Sequence, residues 1–172
     1  GMASAIMSTF RFASTARVRL AANGDFTIEA GCQEIGNGPY TIMPQLAAEV
    51  LGVPPERIKM RLGDTDLPET GGTFGSSTTM STGSAVMDAA RKLKERLAEI
   101  SGGGAASAPE SWAALLRERG IEEVSADGAF TLPGQVGFDA HGGQSGYAMF
   151  TWGAVFVETE VDEALGLARM RR

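Results

Sequence analysis

Gly71-Gly72-Thr73-Phe74-Gly75-Ser76-Ser77-Thr78-Thr79-Met80-Ser81-Thr82-Gly83-Ser84 is a run of fourteen residues without a charge, and it leads straight into a strongly patterned helix. Beyond it, Val86, Ala90, Leu93, Leu97 and Ile100 recur on one helical face with Lys, Arg and Glu opposite, until Gly102-Gly103-Gly104 ends the pattern. Such an amphipathic helix needs a sheet or a second helix to cover its apolar stripe. At its start, the glycines at 71, 72 and 75 let main chain approach a ligand closely, and the hydroxyls from Ser76 to Thr82 offer donors. The free N–H groups and positive dipole end of the first turn face the same place. This combination suits an anion, such as a cofactor phosphate, held by backbone.

Upstream, the chain reads as strands and one helix. Ala5 to Phe12 is apolar and β-rich, and Arg17-Val18-Arg19-Leu20 and Phe26-Thr27-Ile28-Glu29 alternate with period two around the hairpin signal Asn23-Gly24. Ile42, Met43, Leu46, Ala47, Val50 and Leu51 then recur at helical spacing up to Gly52 and Pro54-Pro55. Pro44 is expected in the first turn of that helix, where its missing N–H costs little, with Gly36-Asn37-Gly38 feeding the start. Arg57 to Leu62 alternates as a short strand.

Downstream, a third helix is expected from Glu110 to Arg119 on the stripe Trp112, Leu115 and Leu116. Gly120 to Tyr147 reads as glycine-rich loop with at most one short strand. A closing hairpin joins Ala154–Val161 to Leu167–Arg171 across Asp162 to Gly166. The order predicts an α+β fold, a mixed β-sheet with helices packed on one face, in a single lobe over residues 3–172. Residues 101–109 and 126–147 are expected to be flexible glycine-rich loops.

The 172 residues carry 15 Lys and Arg against 21 Asp and Glu, a net charge of −6. Nucleic-acid binding needs clustered basic residues, so this acidic balance argues against it. Cys32 and His141 are each the sole residue of their type, which excludes an internal disulfide and a multi-cysteine zinc site. A Cys–His catalytic pair would need the two to meet by chance of folding. No window is apolar over enough residues to span a membrane, and no signal-peptide pattern is present, so a soluble, cytoplasmic chain is expected.

Two uncharged turns, Gly36-Asn37-Gly38 and Gly75-Ser76-Ser77-Thr78, each precede a buried helix and together could grip one elongated ligand. Taken singly, either one reads better as a helix cap or a tight turn, and only the pair brings the ligand reading level with that one. Neither is a P-loop or a complete dinucleotide fingerprint. Asp64, Asp66 and Glu34 are expected to cap turns, and Ser76 or Ser81 as a nucleophile would have only His141 for a base. No catalytic or metal-ligating residue is therefore nominated.

Gly31-Cys32-Gln33-Glu34-Ile35-Gly36-Asn37-Gly38-Pro39-Tyr40-Thr41, followed by Gln45 to Ile58, closely resembles the molybdenum-binding subunit of the xanthine dehydrogenase and aldehyde oxidase family. Gly63-Asp64-Thr65-Asp66 with Gly71 to Val86 resembles the family's next cofactor loop, and Gly153 to Asp162 its later strand. The resemblance implies a molybdopterin, in its cytosine dinucleotide form, whose dithiolene rather than the protein ligates molybdenum. It carries the cofactor-binding role onto Gly36, Asn37, Gly38, Thr73, Gly75, Ser76 and Thr78. Asn37 replaces the more frequent Gln or Thr, and Ser77 stands where many relatives have Arg. The family's catalytic glutamate motif lies beyond the point corresponding to Arg172. The chain is therefore expected to be a lobe of a molybdenum hydroxylase, inactive and without cofactor in isolation. Its expected partners are the remainder of the subunit and iron–sulfur and FAD components, with homo-oligomers through apolar edges such as Ala154 to Val161. The alternative is a free-standing binding or assembly module.

Overall fold

The computed structural model describes residues 1–8, 10–102, 108–131, 137–138, 144–145 and 150–172. Its central sheet grows from the predicted hairpin. β2 (Ser14–Ala21) and β3 (Phe26–Glu29) pair antiparallel, with Gly24 in the left-handed region at φ 94° and the Asn23 side chain accepting the Asp25 N–H at 3.0 Å. The helix α1 (Pro39–Leu51) then carries the chain back to β4 (Ile58–Arg61), which joins β3 in parallel, as a strand–helix–strand crossover requires. β5 (Glu123–Phe130) pairs antiparallel with the other edge of β2, giving the order β4-β3-β2-β5.

One face of this sheet is apolar. Ala16, Val18 and Leu20 of β2, Phe26 and Ile28 of β3, Ile58 of β4, and Val124 and Ala126 of β5 are buried against α1 and α2 (Ser77–Ser101). The α2 stripe reads as expected, with Val86, Ala90, Leu93 and Leu97 fully buried and a stop at Gly102 in the left-handed region. Its first two turns, however, are made of the uncharged run itself. α3 (Trp112–Glu118) closes the far end, where the Trp112 and Phe26 rings meet edge to face at 6.3 Å.

The opposite face carries charge in alternating columns. Glu29, whose side chain is only 4% exposed, accepts from Arg19 of β2 at 2.9 Å and Arg61 of β4 at 2.7 Å. Arg19 also reaches Glu123 at 2.8 Å, and Arg17 pairs with Asp127 across β2 and β5, holding that carboxyl below the usual carboxylate range.

Three expectations are corrected. Pro44 lies inside α1, because Pro39 already occupies the helix start. A proline at this point removes one hydrogen bond to the Tyr40 carbonyl, while Pro44 itself is buried with Met43 and Ala47. Residues 126–130 are strand, the end of β5, rather than loop. The stretch 154–161 is not one strand: β8 (Phe150–Phe156) pairs with β1 (Met2–Ser8), and β9 (Thr159–Asp162) pairs separately with β10 (Leu167–Met170). β6 (Gly137–Phe138) and β7 (Gln144–Ser145) form a short ladder. The rest of 132–149, with His141, and residues 103–107 of the expected 101–109 loop lie outside the described residues.

Candidate functional site

The start of α2 is built under unusual backbone constraint. Gly75 and Ser76 both adopt left-handed angles, φ 58° and 59°, immediately before the helix. Ser76 is the helix cap, and its hydroxyl makes no capping bond. Ser77, fully buried, donates its hydroxyl to the carbonyls of Phe74 at 2.7 Å and Gly72 at 2.9 Å, and so ties the glycine loop to the start of the helix without capping its N–H groups.

The segment after β1 is stitched to the same corner. Phe10 N–H donates to the Gly75 carbonyl at 2.9 Å, and Phe12 N–H to the Ser81 hydroxyl at 3.0 Å. The rings of Phe10, Phe12 and Phe74 cluster at 5.0 to 6.5 Å between centroids. A side chain at 71 or 75 would run into the Phe12 or Phe10 ring, which is why these positions need glycine. Between the two phenylalanines Arg11 is nine-tenths buried, and its Nε has no hydrogen-bond partner.

The Gly36-Asn37-Gly38 turn reaches the same corner through Thr73, whose hydroxyl oxygen accepts the Gln33 N–H at 3.1 Å. Gly36 and Gly38 have φ 97° and 75°, and both donate their N–H to the same Glu34 oxygen, at 2.6 and 3.2 Å. Their donors are thus turned inward. The Asn37 side-chain oxygen accepts the Ile35 N–H at 3.0 Å.

Between the turn and α2 lies a cleft of about 630 Å³. It brings together Asn37, Thr73, Gly75, Ser76 and Thr78 of the seven candidate residues; Gly36 and Gly38 shape the turn behind Asn37 without lining the cleft. Among the described residues, no Asp, Glu, Lys or Arg lines it. The apolar walls are Ile35, Leu46, Phe74, Met80 and Met87, which glycine and hydroxyl motifs could not reveal. Gly83 lets α1 approach, since a side chain there would meet Leu46. Asp64 caps its turn, accepting the Asp66 N–H at 3.0 Å. Cys32 is fully buried outside the cleft, and burial pushes its thiol up to about 11, with the Glu34 charge adding to the shift. Among the described residues no three His, Cys, Asp or Glu side chains converge as a metal site, and no helix is long and apolar enough to cross a membrane.

This donor set fits an anionic or hydrogen-bonding cofactor. Neutral hydroxyls and the dipole at the start of a 25-residue helix favour negative charge at the α2 end of the cleft, while the Asn37 amide offers hydrogen bonds at the other end.

The family model described as the molybdopterin cofactor-binding domain matches residues 1–172. The aldehyde oxidoreductase molybdenum-binding subunit PaoC of Escherichia coli is 33% identical over 175 residues, covering 100% of this chain and 24% of PaoC. Xanthine dehydrogenase of Calliphora vicina is 35% identical over 127 residues, 72% of this chain and 9% of that protein. Among solved structures, the aldehyde oxidoreductase from Desulfovibrio desulfuricans superposes with a TM-score of 0.81 at 28% identity, over 99% of this chain and 19% of that one. The chain thus spans about a quarter of PaoC and less of the other two.

Proposed function

The chain belongs to the molybdopterin cofactor-binding domain family of the xanthine dehydrogenase and aldehyde oxidase enzymes, and on that premise we propose that the cleft between α2 and the Gly36-Asn37-Gly38 turn is its share of the cofactor site. The observation that carries this reading is the neutral donor set at the start of α2, which lines a cleft with no charged side chain among the described residues.

The two ends of the cleft differ in charge. Glu34 consumes the turn's glycine donors and leaves a carboxylate behind Asn37, so a phosphate is disfavoured there. The cofactor's phosphates belong with the N–H and hydroxyl groups of Gly75, Ser76 and Thr78, beside the helix dipole. Asn37 and Thr73 take an uncharged part of the pterin, with Phe74 and Ile35 as apolar walls. When bound, the cofactor supplies redox-active molybdenum ligated by its own dithiolene. This chain's residues bind and orient it.

The family resemblance implies the cytosine dinucleotide form of the cofactor. The complete protein is a hydroxylase of aldehydes or N-heterocycles, in which further domains of the molybdenum subunit supply the catalytic base and iron–sulfur and FAD components take the electrons. The test is metal analysis of a molybdenum-binding subunit that carries this domain. Replacing Asn37 and Ser76 together by alanine removes about two hydrogen bonds, worth on the order of a hundredfold in affinity, and is expected to strip molybdenum on purification. Unchanged metal loading would sink the assignment.

A further inference from the structure

We infer that Glu34 is a positioning residue, which holds the Gly36-Asn37-Gly38 turn so that Asn37 meets the cofactor with its amide NH2 group. The inference rests on the cofactor reading of the cleft. One carboxylate oxygen of Glu34 accepts from both Gly36 and Gly38, at 2.6 and 3.2 Å, and thereby pins the residues on either side of Asn37. Both glycines sit in the left-handed region, which leaves many alternative backbone states open unless something selects one. Main-chain N–H groups gathered in such a turn converge on an anion, and here the chain supplies the carboxylate itself.

The second step concerns Asn37. Its side-chain oxygen is engaged by the Ile35 N–H at 3.0 Å, so the other end of the amide, two N–H donors, is what Asn37 offers the cleft that it lines. The orientation of the amide is thus set by a backbone donor that accepts no alternative, since an NH2 group facing the Ile35 N–H would be donor against donor. Ile35, Gly36 and Gly38 are consecutive parts of one short turn. Releasing the glycines from Glu34 therefore releases the Ile35 to Asn37 contact as well. Thr73 fixes the turn from the other side through Gln33 but touches neither glycine.

Two measurements separate this role from general loop stability. In 15N–1H spectra of the chain, Glu34→Ala is expected to shift the Gly36, Gly38 and Ile35 amides and collapse the Asn37 side-chain NH2 pair to the position of a free amide. Glu34→Gln, which keeps an acceptor oxygen, should restore them. In a molybdenum-binding subunit carrying the domain, Glu34→Ala and Asn37→Ala should each lower retained molybdenum about tenfold. The double variant should lose no more than Asn37→Ala alone, because Glu34 acts through Asn37. Unchanged Asn37 resonances in Glu34→Ala, or losses that multiply in the double variant, overturn the role of Glu34. Unchanged molybdenum in Asn37→Ala overturns instead the cofactor reading on which it rests.

Discussion

At the scale of single residues, Glu29 shows how position overrides type. Its place in β3 puts it on the face away from the helices, yet arginines from both neighbouring strands cover it until its side chain is 4% exposed. Glu29→Ala removes charge-assisted hydrogen bonds to two arginines that remain solvent-accessible, so it should cost about 1–3 kcal/mol in a urea melt. Arg61→Ala should cost less than about 1 kcal/mol, because Arg61 is 59% exposed and Arg19 still holds Glu29. Equal losses in the two variants would show that the carboxylate is not the centre of the network. Cys32 gives a pH-dependent case. Burial raises its thiol from 9.0 to about 11, so the unfolded chain releases the proton first. The stability linked to Cys32 is complete below pH 9 and is lost as the pH climbs toward 11. Subtracting the melting curve of Cys32→Ala from that of the wild type should give a difference that is flat below pH 9 and falls above it. A flat difference across the whole range would mean the thiol ionises as freely in the fold as outside it.

At the scale of elements, α2 and β5 explain both what was legible and what was hidden. The α2 stripe is long, periodic and stopped by glycine, so local pattern alone reveals it, and the same holds for the Asn23-Gly24 hairpin. β5 was hidden because Ala126, Gly128 and Ala129 look like loop. Ala126 and Gly128 are small because they face α2, which crosses β5 so closely that a side chain at 128 would run into the backbone of Ala85 and Ala89. Lys92 and Arg96 of α2 also bond the Asp127 and Ser125 carbonyls of this edge strand. The glycine motifs of the cleft were likewise legible, whereas the capture of two of their donors by Glu34 was not, since motif spacing carries no bond direction. Gly128→Ala should therefore cost about 1–3 kcal/mol, whereas Gly153→Ala, with nothing near a new methyl group, should leave the melting temperature unchanged. At the start of α2, Ser76→Gly should stabilise by about 1 kcal/mol, since a left-handed angle is free of penalty only for glycine. A loss of stability in Ser76→Gly would show that the serine side chain anchors the corner.

At the scale of the whole molecule, the helices and central sheet bury a shared core, but the ribbon of β1 and β8 does not bury its own side chains. The register places Met2 opposite Phe156 and Ile6 opposite Trp152, with Ser4 and Ala154 between, so four large apolar side chains share one face. They are 66, 71, 53 and 75% exposed, respectively. Val161 and Met170, exposed on the second ribbon, extend the apolar character of this part of the chain. A contiguous apolar face of this kind draws a partner, and for the chain alone the available partner is another copy. Sedimentation velocity should therefore show a mass that rises with concentration. Replacing Ile6 and Trp152 by glutamate places two charges on the face without touching the core, and should return the chain to a monomer with its thermal melt unchanged. The ordering of the outcomes matters: a monomer at every concentration in the wild type refutes the association, while continued association of the double variant moves it to a different surface. Because the cleft and the ribbon share no residue, the glutamate variant should leave the Asn37 and Gly36 amide resonances where they were.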